Sequence, residues 1–225
     1  CHLDAPEFLS DIVSIVERAK HAGVAGILLP AVRAQDFEAV QEITHRFKHE
    51  IPYLVYTLGI HPLYTDRASE SDLKTLETAV VSAKNDPHFV GIGEIGLDYF
   101  VAELDPHRQE FFFHAQLDLA QHHQLPVILH VRRSQDMILK ALRQRNLSGG
   151  IAHAFNGSMQ QAEQFIGLGF KLGFGGAATY ERALQIRRLL KELPLESIVT
   201  ETDSPDIPPA WLKAEGIAFN EPAFL

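Results

Sequence analysis

The sequence predicts an α/β fold, a (β/α)8 barrel carried by 225 residues, and three observations predict it. Short apolar runs alternate with amphipathic segments of helical length along the whole chain, the pattern of parallel strands joined by helical crossovers. The runs are near-continuous in Val, Ile, Leu and Phe, as strands buried on both faces are. Polar residues of metal-binding type follow run after run at the spacing of βα units.

The elements follow in order. Asp11–Ala22 carries Ile12, Ile15, Val16 and Ala19 at helical spacing, and Gly23 stops it. The run Val24–Leu29 then reads as a strand. Asp36–His49 is a helix on Phe37, Val40, Ile43 and Phe47, and Tyr53–Ile60 is the next strand. Asp72–Lys84 repeats the helical spacing with Leu73, Leu76, Val80 and Val81, ahead of the run Phe89–Ile92. Pro106–Gln124 is a long helix with proline in its first turn, where no N–H is missed. The run Pro126–Leu129 follows, then Ser134–Arg145 with Ser134 as N-cap candidate. Gly150–Ala152, Ser158–Leu168, Phe170–Phe174, Tyr180–Leu193 and Ser197–Thr200 complete the alternation.

Seven runs read as strands, and an eighth would end at His2. The closing stretch, Ser204 to Leu225, bears prolines and reads as irregular. The expected barrel therefore lacks its first strand and last helix within this chain, and occupies residues 1–225 as one domain. The competing architecture is an open doubly wound sheet, but its GxGxxG turn follows none of the early strands.

A net charge of −9 argues against a protein that coats duplex nucleic acid with a basic face. It leaves room for an enzyme that grips a nucleic-acid end. One cysteine excludes a disulfide framework or a cysteine-built zinc site. No apolar run reaches about 18 residues and no basic-then-apolar leader is visible. No membrane role, no stable protein partner and a cytoplasmic setting are expected.

The informative residues lie after the apolar runs. His61, Glu94, His130 and His153 each follow one, Asp203 comes just after Ile198–Thr200, and His2 sits where a first strand would end. In a barrel such ends converge on one face, where active sites lie. Imidazole and carboxylate together suit Zn, Mn and similar divalent ions, and a carboxylate can bridge two. Any one histidine at a strand end is more often a structural residue; six such positions together outweigh that reading.

Other polar residues divide differently. His45 and His49 have i, i+4 spacing but lie on an amphipathic helix, and read as a solvated pair. His122 and His123 end a helix and complement its dipole. Cys1 reads as a passive neighbour. Arg132 and Arg133 follow His130, and arginine suits bidentate phosphate contact. Asp98 can orient a ligand or cap the next element. Glu201 can face the site or anchor in the barrel floor. Asn156 to Ser158 can cap the next helix.

Several segments are recognisable: Cys1-His2-Leu3-Asp4, Gly59-Ile60-His61-Pro62, Gly91-Ile92-Gly93-Glu94-Ile95-Gly96-Leu97-Asp98, Ile128-Leu129-His130, Arg132, His153-Ala154-Phe155-Asn156-Gly157-Ser158 and Glu201-Thr202-Asp203-Ser204-Pro205. They run in order across nearly the whole chain. The sequence resembles the TatD family of metal-dependent deoxyribonucleases, and within it the YjjV-like branch. The resemblance implies a TIM-like barrel of the metallo-dependent hydrolase type with two divalent ions per subunit, of Zn, Mn or Mg. It implies that His2, Glu94, His130, His153 and Asp203 are metal ligands, with Glu94 bridging. It implies that Asp203 also takes a proton from the attacking water and that His61 contacts substrate phosphate; Arg132 matches the arginine of the family's His-x-Arg segment, and its chemistry suits the same phosphate. Arg133 stands where the family often has an acidic residue.

The expected activity is phosphodiester hydrolysis by a metal-activated water, a deoxyribonuclease trimming single-stranded DNA ends, with DNA favoured over RNA as substrate. The alternative is amide, ester or lactone hydrolysis in a small molecule, since the same activated water attacks a carbonyl and fold does not fix substrate. Arg132 discriminates, because a phosphate-free substrate leaves it little to bind. A non-catalytic metal role fits poorly, because barrel stability does not require such a cluster at the loop face.

Overall fold

The computed structural model describes residues 1–217 and 219–225. Seven strands, β1 (Gly26–Pro30), β2 (Tyr53–Leu58), β3 (Phe89–Asp98), β4 (Val127–Arg132), β5 (Gly150–Ala152), β6 (Phe170–Phe174) and β7 (Ile198–Thr200), pair in sequence order. Every pairing is parallel. The helices are α1 (Ile12–His21), α2 (Phe37–Phe47), α3 (Glu70–Ala83), α4 (Pro106–His123), α5 (Gln135–Leu142), α6 (Met159–Gly167), α7 (Leu184–Glu192) and α8 (Ala210–Ala214). Among the described residues, no helix is long and apolar enough to cross a membrane.

The sheet is rolled. Leu28 and Pro30 of β1 and Val199 and Thr200 of β7 line one cavity of about 150 Å³, together with Ile128 and Ile151 from the middle strands. A flat seven-stranded sheet would hold its edges roughly 29 Å apart, so only barrel curvature brings them to one space. The first residues bridge the edges. The Cys1 amino group donates to Leu28 O at 3.5 Å, and the His2 amide donates to Ser204 O at 2.8 Å. His2 thus stands at the position expected for the end of a further strand.

One contiguous apolar cluster joins the strands to the helices. Leu29, Leu54, Ile92, Leu129 and Leu172 of the sheet pack with Val16, Val40, Leu76, Leu117 and Phe165 of the surrounding helices. Local chemistry ends the helices as the sequence indicates. The Asp105 carboxylate caps α4 at the His107 and Arg108 amides, ahead of Pro106. Ser158 and Gln161 close a capping box on α6. At Gly96 (φ +150°) a Cβ would lie 2.0 Å from the His130 carbonyl oxygen, so only glycine lets β3 pass β4 there.

The structure corrects several boundaries. The third strand does not stop at Ile92 but runs to Asp98, with its register to β4 shifting between Ile92 and Ile95. Glu94 therefore sits at an irregularity within a long strand, where a bulged backbone can re-aim a side chain. His130 likewise lies inside β4. Ser134 occupies the N-cap of α5, but its hydroxyl donates to Leu97 O at 2.7 Å instead of capping. The stretch from Ser204 onward is not wholly irregular, since it holds the five-residue α8. His45 and His49 are both exposed, as the spacing on an amphipathic helix indicates, and His45 meets Asp86 at 2.7 Å and lies edge-on to His88.

Candidate metal centre

The expected residues come from separate elements of the rolled sheet. His61 follows β2 by three residues, Glu94 is on β3, His130 on β4, His153 directly after β5, and Asp203 three residues past β7. Backbone ties fix two of them. The Glu94 amide donates to Ala31 O, and the His61 amide to Val32 O.

Glu94 is the hub and is buried. Its Oε1 lies 2.8 Å from His153 Nε2, 3.1 Å from His130 Nδ1 and 3.2 Å from His61 Nε2. Its Oε2 is 3.8 Å from His2 Nε2, which is also 3.8 Å from Asp203 Oδ1. Six residues expected at one site are thus brought together. Arg132 stands at the edge of the group, half exposed, with Nη1 3.8 Å from Asp98 Oδ2.

Supporting residues set which imidazole nitrogen faces the centre. Asp98 is fully buried; its Oδ2 holds His130 Nε2 at 3.0 Å. That leaves Nδ1 of His130 facing Glu94, the carboxylate–histidine arrangement usual behind metal ligands. Asp98 Oδ1 meanwhile accepts from the Phe100 and Val101 amides, so this one carboxylate does both things the sequence offered for it. Glu201 faces the site. Its Oε1 accepts from the Ala154 amide at 2.7 Å and lies 3.5 Å from His153 Nδ1, leaving Nε2 toward Glu94.

His61 is different. Its Nδ1 accepts from the Leu63 amide, so in the neutral ring the proton sits on Nε2. It therefore presents an N–H to Glu94, not a lone pair. His61, Glu94 and His130 have ligand-type atoms within 4.8 Å of one another, but this tautomer makes His61 a hydrogen-bond donor toward the site.

Two residues escaped the sequence reading. Gln109 and Gln116, one heptad apart on α4, are buried. Gln116 accepts from the Ile60 amide at 2.7 Å and donates to the Ile60 carbonyl at 3.0 Å. Gln109 does the same for Asp98, at 2.8 and 3.0 Å. Each satisfies backbone groups next to a site residue that the sheet ladder leaves unpaired. A glutamine on the buried face of an amphipathic helix was the available signal.

The electrostatics show a cluster built for positive charge. Burial alone would raise the Glu94 pKa, but the imidazoles of His153, His61 and His130 outweigh it and hold the carboxyl well below its usual range. Burial opposes protonation of His153, yet Glu94, Asp203 and Glu201 push its pKa well above normal. His130 is raised against burial by Asp98 and Glu94. Burial lowers His61, and burial with the adjacent amino group lowers His2 to about 4. Without an ion, protons on His153 and His130 balance the carboxylates. The donor set, imidazoles and carboxylates around one buried oxygen, suits a divalent cation of the Zn or Mn kind.

A pH dependence follows. An ion bound by His153 and His130 would have to displace their protons, so its affinity would rise with pH until their raised pKa values are passed. Binding at pH 7 is expected to release about one proton or more per chain, measured by calorimetry in buffers of different ionisation enthalpy. With chelator present the trend in stability is opposite. The stabilisation from His153 is complete below its unfolded pKa of about 6.5 and is lost as pH rises through its higher folded value. That from Glu94 is lost only as pH falls through its depressed folded value. The lowered imidazoles of His2 and His61 act the other way below about 6.5, so melting temperature in chelator should decline from about pH 6.5 upward. No proton release would mean that the imidazoles are not displaced.

The fold and this cluster define a metal-dependent hydrolase of the TIM-barrel kind. The chain belongs to the TatD family: the model described as "TatD related DNase" matches residues 1–225. It is 39% identical over 209 residues to an Escherichia coli K12 protein described as an uncharacterized metal-dependent hydrolase, YjjV, covering 92% of this chain and 78% of that one. It is 33% identical to the "3'-5' ssDNA/RNA exonuclease TatD" of Salmonella typhimurium, across 100% of this chain and 85% of the other. The crystal structure of the E. coli YjjV protein superposes with a TM-score of 0.89 at 37% identity, covering 99% of this chain and 83% of that chain.

Proposed function

We propose that this protein hydrolyses phosphodiester bonds at the ends of single-stranded DNA, as an exonuclease-like deoxyribonuclease using two divalent ions. The observation that carries the reading is the combination at the mouth: a buried carboxylate ringed by imidazoles, with a His61 N–H and the Arg132 guanidinium beside it. The relative in Salmonella described as an ssDNA/RNA exonuclease supports it. So does the acidic surface, which suits entry of one strand end over coating of a duplex.

In this reading His2 and Asp203 would hold one ion, His130 and His153 the other, and Glu94 would serve both. When bound, divalent ions lower the pKa of a water and neutralise charge on the phosphoryl group. The Asp203 carboxylate orients the attacking water and accepts its proton. As the water oxygen bonds to phosphorus, the ester bond to the leaving oxygen breaks, and that oxygen takes up a proton to leave as a hydroxyl while Asp203 gives up the one it accepted. Arg132, and His61 once its Nε2–H turns from Glu94 to the substrate, donate to the non-bridging oxygens and stabilise the charge that develops there. All these parts are assigned to one domain over residues 1–225, working in a cytoplasmic setting.

The test is incubation with end-labelled single-stranded DNA and added Mg, Mn or Zn. Stepwise, metal-dependent shortening from the labelled or the unlabelled end is expected, and the pattern reports polarity. If strands persist while carboxyl esters or lactones are cleaved, the carbonyl-hydrolase alternative replaces this one.

A further inference from the structure

Arg132 and Arg133 lie at the end of β4, beside His130. The guanidinium carbon of Arg132 is 3.8 Å from the centroid of the Phe100 ring, and that of Arg133 is 4.7 Å from the same ring. Consecutive residues of an extended strand point to opposite faces, so neighbours reach one ring only if the backbone turns. Arg133 makes that turn, with φ +55°, a left-handed conformation disfavoured for a long side chain.

Phe100 is itself held in place. Its amide donates to Asp98 Oδ1 at 2.9 Å, while the other oxygen of Asp98 holds His130. The carboxylate that orients a candidate ligand therefore also positions the ring. The ring remains 48% exposed. Arg132 has Asp98 for a partner, whereas Arg133 forms no ion pair among the described residues. In a chain of net charge −9, a guanidinium with no carboxylate partner, resting on a half-exposed ring at the rim, calls for an explanation.

Aromatic rings stack on unpaired bases, and guanidinium groups pair with phosphate oxygens. We propose that Phe100 and Arg133 form a subsite for the nucleotide next to the scissile phosphate. Arg133, which no carboxylate holds, swings off the ring to pair with the backbone phosphate, and the base stacks where its guanidinium lay. The inference rests on the nuclease reading above and adds a reason for single-strand preference. Bases within a duplex already have both faces stacked, so only a free or frayed strand can use the ring.

The test is binding of a dye-labelled oligothymidylate to the full chain in chelator, by anisotropy over a salt series. Phe100→Leu and Arg133→Gln are each expected to weaken binding about tenfold. Arg133→Gln should also reduce the slope of log Kd against log salt by ~0.7, the value for one phosphate contact on a single strand. Phe100→Leu should leave that slope in place, and Phe100→Tyr should restore affinity. With metal added, the ratio of kcat/KM on the strand to kcat/KM on bis(p-nitrophenyl) phosphate should fall about tenfold in both weakened variants. Unchanged Kd and slope in the variants overturn the subsite and leave the nuclease reading intact. Absence of strand binding by the wild type overturns the subsite outright. Strand binding lost in the variants, but no hydrolysis by the wild type, sinks the nuclease reading and keeps the subsite.

Discussion

Glu94→Ala is expected to reduce hydrolysis about a thousandfold or more, because cation stabilisation of the reacting group is worth several kcal/mol and each ~1.4 kcal/mol is a factor of ten. Glu94 is buried and gathers three imidazole nitrogens within 3.2 Å of one oxygen. Its removal takes away the anion that offsets them. Metal content, read by plasma mass spectrometry on the purified variant, should fall in parallel with rate. Glu94→Gln keeps the shape and loses the charge, and should behave nearly as badly. A variant that keeps a tenth of the activity with full metal content would refute the role assigned to Glu94.

Asp203→Asn is expected to lower kcat by about 10²–10⁴, the range for removing a positioned general base. The choice of asparagine follows from the backbone. Asp203 has φ +53°, and Asn tolerates the left-handed region better than most residues, so the variant should fold. Asp203→Gly should be at least as stable as the wild type, because glycine adopts that conformation without strain, while being equally inactive. Thermal melts in chelator separate the two effects. If Asp203→Gly melts well below the wild type, the left-handed backbone is not a source of strain, and the carboxylate contributes to folding.

Much of this architecture was legible in the residues. Leu54, Val127 and Leu172 lie in short runs whose continuity marks strands covered on both faces, and those strands are present. The convergence of His61, Glu94, His130 and His153 followed from their intervals, because parallel strands place successive run ends on one face. The end of β3 was harder to read. Its latter half, Gly93-Glu94-Ile95-Gly96-Leu97-Asp98, mixes two glycines and two acids, a composition that single-residue propensity disfavours in strands. Packing against β4 keeps it extended. The clamps from Gln109 and Gln116 were only faintly marked, by two polar residues on the buried face of α4. They bond to backbone atoms 11 and 56 residues distant, and backbone partners leave no mark on side-chain patterning. Phe100 had no signal either, since its meaning arises from the left-handed turn at Arg133.

The site draws on residue 2, residue 203 and four positions between them, each on its own segment of the rolled sheet. Nothing short of the rolled sheet brings them within reach of one another. A cation held by these residues would act as a non-covalent rivet, fastening the segment at His2 to the segment past β7. Its binding energy is then also folding energy. Resistance to heat and proteases would be set by the free ion concentration, gaining about 2.7 kcal/mol at a hundredfold excess over Kd. For such a molecule, ion supply governs persistence as well as turnover.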